Sequence, residues 1–174
     1  MDLLEVELKA YCDDREKIIG ALGSLGAKFL HTLKQEDTYF NHPSRDFRVT
    51  DEAFRIRRYN DKIIITYKGP KLGDRAKTRL EEEVEIDNFY SMKRICTYLG
   101  FTETRTVVKT RDVYRCGEIE VCVDRVENLG EFIELEKMHT DREKGEQDIF
   151  DLASKLGLQK FERKSYLELL LEKK

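Results

Sequence analysis

Residues Glu5-Val6-Glu7-Leu8-Lys9 decide how the rest of the chain is read. In an extended strand, successive side chains point to opposite faces. Glu5, Glu7 and Lys9 therefore share one face, and Leu4, Val6 and Leu8 the other. Neighbouring carboxylates on one face repel unless a cation sits between them, and hard divalent cations choose carboxylate oxygens. A half-exposed strand with a solvated charged face produces the same alternation. The other strands decide between the two.

Working outward, the pattern repeats. Residues 53–59 place Arg55 and Arg57 on one face, with Phe54 and Ile56 on the other. Asn60-Asp61 is turn chemistry, and Lys62 to Lys68 is the returning strand, with Thr66 and Lys68 beside Ile64. Arg79 to Ile86 reads as one strand, with Arg79, Glu81, Glu83 and Glu85 on one face. A long strand over 101–115 carries Lys109 and Arg111. After Gly117, Glu118, Glu120, Cys122 and Asp124 align, and then Glu134 and Glu136. With residues 2–11 and the long strand 27–41, this makes about eight strands. Residues 42–52 read as a loop, and 69–77 as a flexible basic loop.

Helices fall between the strands. Asp13 or Asp14 caps one whose apolar positions are Ile18, Ile19, Leu22 and Leu25, closed by Gly26. A second runs over 89–99 to Gly100, and a third from Asp141 to Leu156. Ser165 caps a short amphipathic tail, 166–172. An ExE strand precedes each helix ending in Leu25-Gly26, Leu99-Gly100 and Leu156-Gly157, so a strand–helix–strand module recurs without a fixed period.

The charged faces hold acids and bases together. Either the sheet is open and those faces are wet, or it curls so that they line a water-filled lumen. Eight strands suffice for a barrel holding one small ligand, and closure removes exposed edges. A merely solvated face would carry Thr, Ser and Gln in quantity. Here Glu and Arg dominate, in ExE, RxR and KxR doublets. Arginine forks match phosphate oxygens, and carboxylates reach phosphate only through a bridging metal. The pattern predicts an α+β fold, an eight-stranded antiparallel closed barrel with a polar lumen and flanking helices, around a metal–polyphosphate site.

Composition sets the limits. The 174 residues, 40% hydrophobic, fit a single domain over 1–174. Charged residues make up 39%, yet net charge is only -3, which argues against a nucleic-acid partner bound through bulk positive charge. No apolar run reaches the roughly 20 residues of a membrane span, and no signal-peptide pattern opens the chain. Cys12, Cys96, Cys116 and Cys122 lack paired CxxC spacing, as in a reduced cytoplasmic protein. His31, His42 and His139 form no motif.

Glu5-Val6-Glu7-Leu8-Lys9 resembles the ExExK signature of the CYTH superfamily, the triphosphate tunnel metalloenzymes. Further matches follow in order: Asp37-Thr38-Tyr39-Phe40, Phe54-Arg55-Ile56-Arg57, Thr66-Tyr67-Lys68-Gly69-Pro70, Glu83-Val84-Glu85, Lys109-Thr110-Arg111, Asp124 and Phe132-Ile133-Glu134-Leu135-Glu136. The segment from Asp37 to Arg57 and the ending Ser165 to Leu170 are similar to the class IV adenylyl cyclase (CyaB-like) branch. The resemblance implies Glu5, Glu7, Asp124, Glu134 and Glu136 as ligands of Mg²⁺ or Mn²⁺. It implies Lys9, Arg55, Arg57, Lys68, Lys109 and Arg111 as triphosphate binders, with Lys109, Arg111 and Asp124 catalytic. Glu83 and Glu85 match positions that orient basic groups or assist a second metal, while Arg79 and Glu81 read equally as an ion pair at the rim. The implied reaction converts ATP to 3′,5′-cyclic AMP and pyrophosphate, in a homodimer. Two alternatives stay open: a metal-dependent triphosphatase acting on inorganic triphosphate, thiamine triphosphate or a nucleotide, and a non-catalytic polyphosphate or nucleotide sensor.

Overall fold

The computed structural model of the chain describes residues 4–72 and 76–173. Its strands are β1 (Leu4–Tyr11), β2 (Lys28–Asn41), β3 (Ala53–Tyr59), β4 (Lys62–Lys68), β5 (Lys77–Arg79), β6 (Glu81–Ile86), β7 (Thr102–Cys116), β8 (Ile119–Val126) and β9 (Gly130–His139). The helices are α1 (Arg15–Ser24), α2 (Phe47–Thr50), α3 (Phe89–Tyr98), α4 (Arg142–Lys155) and α5 (Tyr166–Glu172).

All nine strands belong to one antiparallel sheet, in the order β5-β1-β9-β8-β7-β2-β3-β4-β6. The two end strands are consecutive in sequence, separated only by Leu80. β5 pairs with β1 (Glu5 opposite Arg79), and β6 pairs with β4 (Lys68 opposite Glu81). The segment expected as one strand from Arg79 thus begins earlier, at Lys77, and breaks at Leu80 as it crosses from one neighbour to the other. That crossing closes the barrel covalently, around eight strand positions. Leu80 still anchors the corner, its carbonyl accepting from the Gly69 N–H at 3.0 Å. The other departure lies in the expected loop 42–52. There Asp46 caps the single turn of α2, and that turn ends on Asp51 at φ 55°.

Helices cover the outer face because alternation places apolar residues there. Val6, Leu8, Val121, Val123, Ile133 and Leu135 pack against Ile18 and Leu22 of α1 and Ile149 and Leu152 of α4. On the far side, Phe40 and Ile56 meet Phe89 and Cys96 of α3. The three helices followed by Leu25-Gly26, Leu99-Gly100 and Leu156-Gly157 end alike. Each glycine adopts positive φ (74°, 88° and 72°), the left-handed stop that other residues reach at a cost. A third apolar group, Tyr39, Val107, Val126 and Phe132 with Tyr166 and Leu170 of α5, floors one end of the barrel. No helix among the described residues is long and apolar enough to cross a membrane.

Candidate active site

Above that floor the lumen is lined by the charged faces and opens into a cavity of about 990 Å³. Its ionisable groups satisfy one another, since a buried charge without a partner is costly. On β2, Asp37 accepts from Arg57 Nε and Nη2 at 2.6 and 2.8 Å, from Lys109 Nζ at 3.1 Å and from Arg55 Nη1 at 3.4 Å. Burial pushes its carboxyl up, but the three cations outweigh burial and hold it well below the usual carboxylate range.

Arg111 on β7 is the second hub. Its Nε and Nη2 donate to Asp124 at 2.7 and 2.6 Å, and Nη1 donates to Glu136 at 3.3 Å. Nη2 also meets Glu134. The Tyr166 hydroxyl donates to Asp124 Oδ2 at 2.7 Å.

The third group surrounds β1. Lys9 Nζ lies 3.2 Å from Glu134 and 3.9 Å from Glu7, donates to the Lys164 carbonyl at 3.0 Å, and sits over the Tyr166 ring at 4.1 Å. Lys77 donates to Glu7 at 2.8 Å. Lys68 bridges Glu5 at 2.6 Å and Glu81 at 2.9 Å.

Of the carboxylates expected to hold metal, Glu5, Glu7 and Glu136 bring one oxygen each within 4.8 Å of one another. Register explains this: Glu7 is opposite Glu136 on β9, and Glu5 lies two positions along the same face. Glu134 and Asp124 are instead turned toward Lys9, Arg111 and Tyr166. A second group, Glu120, Cys122 and Glu136, lies on the adjoining wall. Burial raises the Glu136 carboxyl to about 8, with Arg111 opposing and Glu134 adding repulsion. Burial likewise raises Glu5 to about 7, despite Lys68. Three carboxylates, two of them pushed upward chiefly by burial, offer an all-oxygen donor set that fits a hard divalent cation.

The remaining expected residues fall at the margin. Glu85 is exposed, 3.6 Å from Lys62. Glu83 lies at the rim, accepting from the Thr66 hydroxyl at 2.8 Å. Arg79 and Glu81 do not pair with each other among the described residues. Arg79 approaches Asp51 at 3.9 Å, and Glu81 takes Lys68.

Sequence reasoning left four lumen groups without a role. Lys77 was hidden in the expected loop 69–77, of which 73–75 lie outside the described residues. Asp37 appeared only as a motif position, although its parity with Gln35 and Tyr39 placed it on one face. Tyr166 reaches the lumen only because α5 folds under the barrel. Gln35 is buried, and among the described residues its Oε1 has no partner, as is true of Arg55 Nε.

Comparison with known proteins agrees with this architecture. The model of the CYTH domain matches residues 3–166, and the chain belongs to that family. It is 43% identical over 172 residues to a Methanocaldococcus jannaschii protein named "Putative adenylate cyclase", covering 96% of this chain and 98% of that one. It is 29% identical over 170 residues to "Adenylate cyclase CyaB" of Aeromonas hydrophila, covering 93% and 86%. A solved structure from Pyrococcus horikoshii superposes with TM-score 0.88 at 42% identity, covering 98% and 99%. The same fold, at 19% identity and TM-score 0.72 with 99% and 96% coverage, occurs in a Hippeastrum protein named "Putative adenylyl cyclase" and described as having a dominant triphosphatase activity.

Proposed function

We propose that the chain is a metal-dependent class IV adenylyl cyclase, forming 3′,5′-cyclic AMP and pyrophosphate from ATP. The observation that carries the reading is the lumen of mutually paired carboxylates and cations. Lys9, Arg55, Arg57, Lys68, Lys77, Lys109 and Arg111 are each already held by an acid, so ligand binding is an exchange of partners. Phosphate oxygens would take Lys9, Arg55, Arg57, Lys68, Lys109 and Arg111, leaving Glu5 (from Lys68), Glu136 (from Arg111) and Glu7 (from Lys9) to hold Mg²⁺ or Mn²⁺. Metal and triphosphate therefore bind together more readily than either alone.

Held by Glu5, Glu7 and Glu136, a divalent ion would offset phosphate charge and make the 3′-hydroxyl more acidic. The chain's own groups do the rest. The Arg57 fork aligns the triphosphate along the barrel axis. Lys109 and Arg111 offset charge growing on the α-phosphate as the 3′-oxygen attacks and pyrophosphate leaves. Asp124 and Tyr166 hold Arg111 in position.

The relatives named as adenylate cyclases support this reading. The triphosphatase activity of the Hippeastrum protein supports the alternative, hydrolysis in the same cradle. Incubation with ATP and Mn²⁺, and separately with inorganic tripolyphosphate, followed by product analysis, separates them. Cyclic AMP with pyrophosphate is expected. Orthophosphate release from either substrate points to the triphosphatase, and tight binding without turnover to a sensor. The subunit arrangement expected from the resemblance, a homodimer, is tested by light scattering.

A further inference from the structure

Exchange of partners in the lumen leaves Asp37 with nowhere to turn. Glu5, Glu7 and Glu136 lie close enough to share a cation, and Asp124 keeps the Tyr166 hydroxyl when Arg111 turns to phosphate. Asp37 has neither outlet. It belongs to no group of metal-competent side chains among the described residues. Among them its carboxylate accepts from Arg57, Lys109 and Arg55 alone. It is 1% exposed, so bulk water does not reach it.

The charge balance around Asp37 is the reverse of that at Arg111. Arg111 faces three carboxylates, Asp124, Glu134 and Glu136. Asp37 faces three cations. Arg57 and Lys109 pair with no other carboxylate among the described residues. Arg55 comes no closer than 4.0 Å to Glu81 and Glu83. The shortage of acceptors shows at Arg55 Nε, which is buried without a partner among the described residues. One carboxylate thus stands where a polyanion fits. Its two oxygens fill the Arg57 fork at 2.6 and 2.8 Å, the bidentate seat that a phosphate would take.

A carboxylate in that seat has two effects of opposite sign. It stabilises the empty barrel, because buried cations without an anion are costly. It also opposes the ligand, because a phosphate that takes the Arg57 fork leaves Asp37 a buried anion beside another anion. We propose that Asp37 is a built-in stand-in for phosphate, a positioning residue that holds Arg57 and Lys109 in the empty lumen and limits polyphosphate affinity by having to be displaced. This rests on the triphosphate reading of the lumen and adds a restraint that eases release of the pyrophosphate product.

Calorimetric titration in Mg²⁺ with tripolyphosphate, pyrophosphate and ATP tests it, on wild type, Asp37→Asn and Asp37→Glu. Asp37→Asn removes the charge at nearly constant shape and is expected to bind tripolyphosphate and pyrophosphate about tenfold tighter than wild type does. Asp37→Glu keeps the charge and is expected to gain no affinity. Thermal unfolding gives a second readout. The midpoint of ligand-free Asp37→Asn should fall, and tripolyphosphate should raise it by more than it raises that of wild type. If Asp37→Asn does not fold alone, refolding in tripolyphosphate should recover it. Unchanged or weaker binding by Asp37→Asn, equal tightening in Asp37→Glu, or no recovery by tripolyphosphate overturns the proposal and leaves Asp37 a structural anchor for the Arg57 fork. Failure of wild type to bind any of the three ligands overturns the triphosphate reading itself, and this role with it.

Discussion

Asp124 shows how far a single side chain can be committed. It is fully buried, accepts the Arg111 fork with both oxygens and takes the Tyr166 hydroxyl as well. Tyr166→Phe removes one hydrogen bond to a charged group and should cost about 1.5–3 kcal/mol of stability, read as a shift in the urea midpoint. Glu136 differs, being crowded by like charges and close to Glu5 and Glu7. Glu136→Gln should leave the fold intact and abolish metal-dependent turnover, with metal titration by calorimetry as the second readout. Arg57→Ala should weaken triphosphate binding by about 1.5–3 kcal/mol, the range for a charge-assisted hydrogen bond. A variant with wild-type affinity would remove Arg57 from the ligand's path.

At the scale of elements, the outer apolar face and the helices stabilise the barrel without touching its chemistry. Leu22 on α1 is fully buried against β1 and β8 residues. Leu22→Ala should cost about 2–5 kcal/mol in chemical unfolding while triphosphate affinity is unchanged. Gly100, at φ 88°, would bring an added Cβ within 3.1 Å of Pro43, so Gly100→Ala combines backbone strain with a steric contact, and its thermal midpoint should fall. Alternation made most strands legible, because a period of two assigns faces without reference to any neighbour. It failed where pairing replaces propensity. Lys77-Thr78, ahead of the expected strand start at Arg79, follows glycines and a proline and carries no strand pattern of its own, yet β1 holds it in register. The turn of α2 is too short for periodicity and depends on the Asp46 cap.

Across the whole molecule the acids and bases must titrate in sequence. Burial, with the neighbouring Arg57 and Arg111 opposing the pull of Asp37, lowers the Lys109 ammonium from 10.5 to about 8. From about pH 8 up to 10.5 the unfolded chain keeps a proton on this group that the folded chain has lost. This group's contribution to stability therefore rises across that window and is unfavourable and constant below it. Triphosphate prefers the charged amine, so its affinity should fall as pH rises through about 8. Metal binding runs the other way, since it must displace protons from Glu5 and Glu136, raised to about 7 and about 8. Metal affinity should climb through that interval with proton release. Titrations in buffers of different ionisation enthalpy would detect both trends, and a pH-independent metal affinity would contradict the Glu5–Glu7–Glu136 assignment.

By itself the sequence determined which face of each strand is charged, where the helices stop, and that acids and bases had to share one surface. Those are local properties, set by a side-chain period of two and by capping chemistry. Depth along the barrel was decided only in three dimensions. Tyr39, Asp37, Gln35 and Leu33 have the same parity, yet they become floor, ion-pair hub, unpaired acceptor and apolar rim. Strand tilt and stagger assign those levels, and both are properties of the closed sheet, not of any one strand. Which carboxylates meet each other, and which meet arginine, follows from the same stagger.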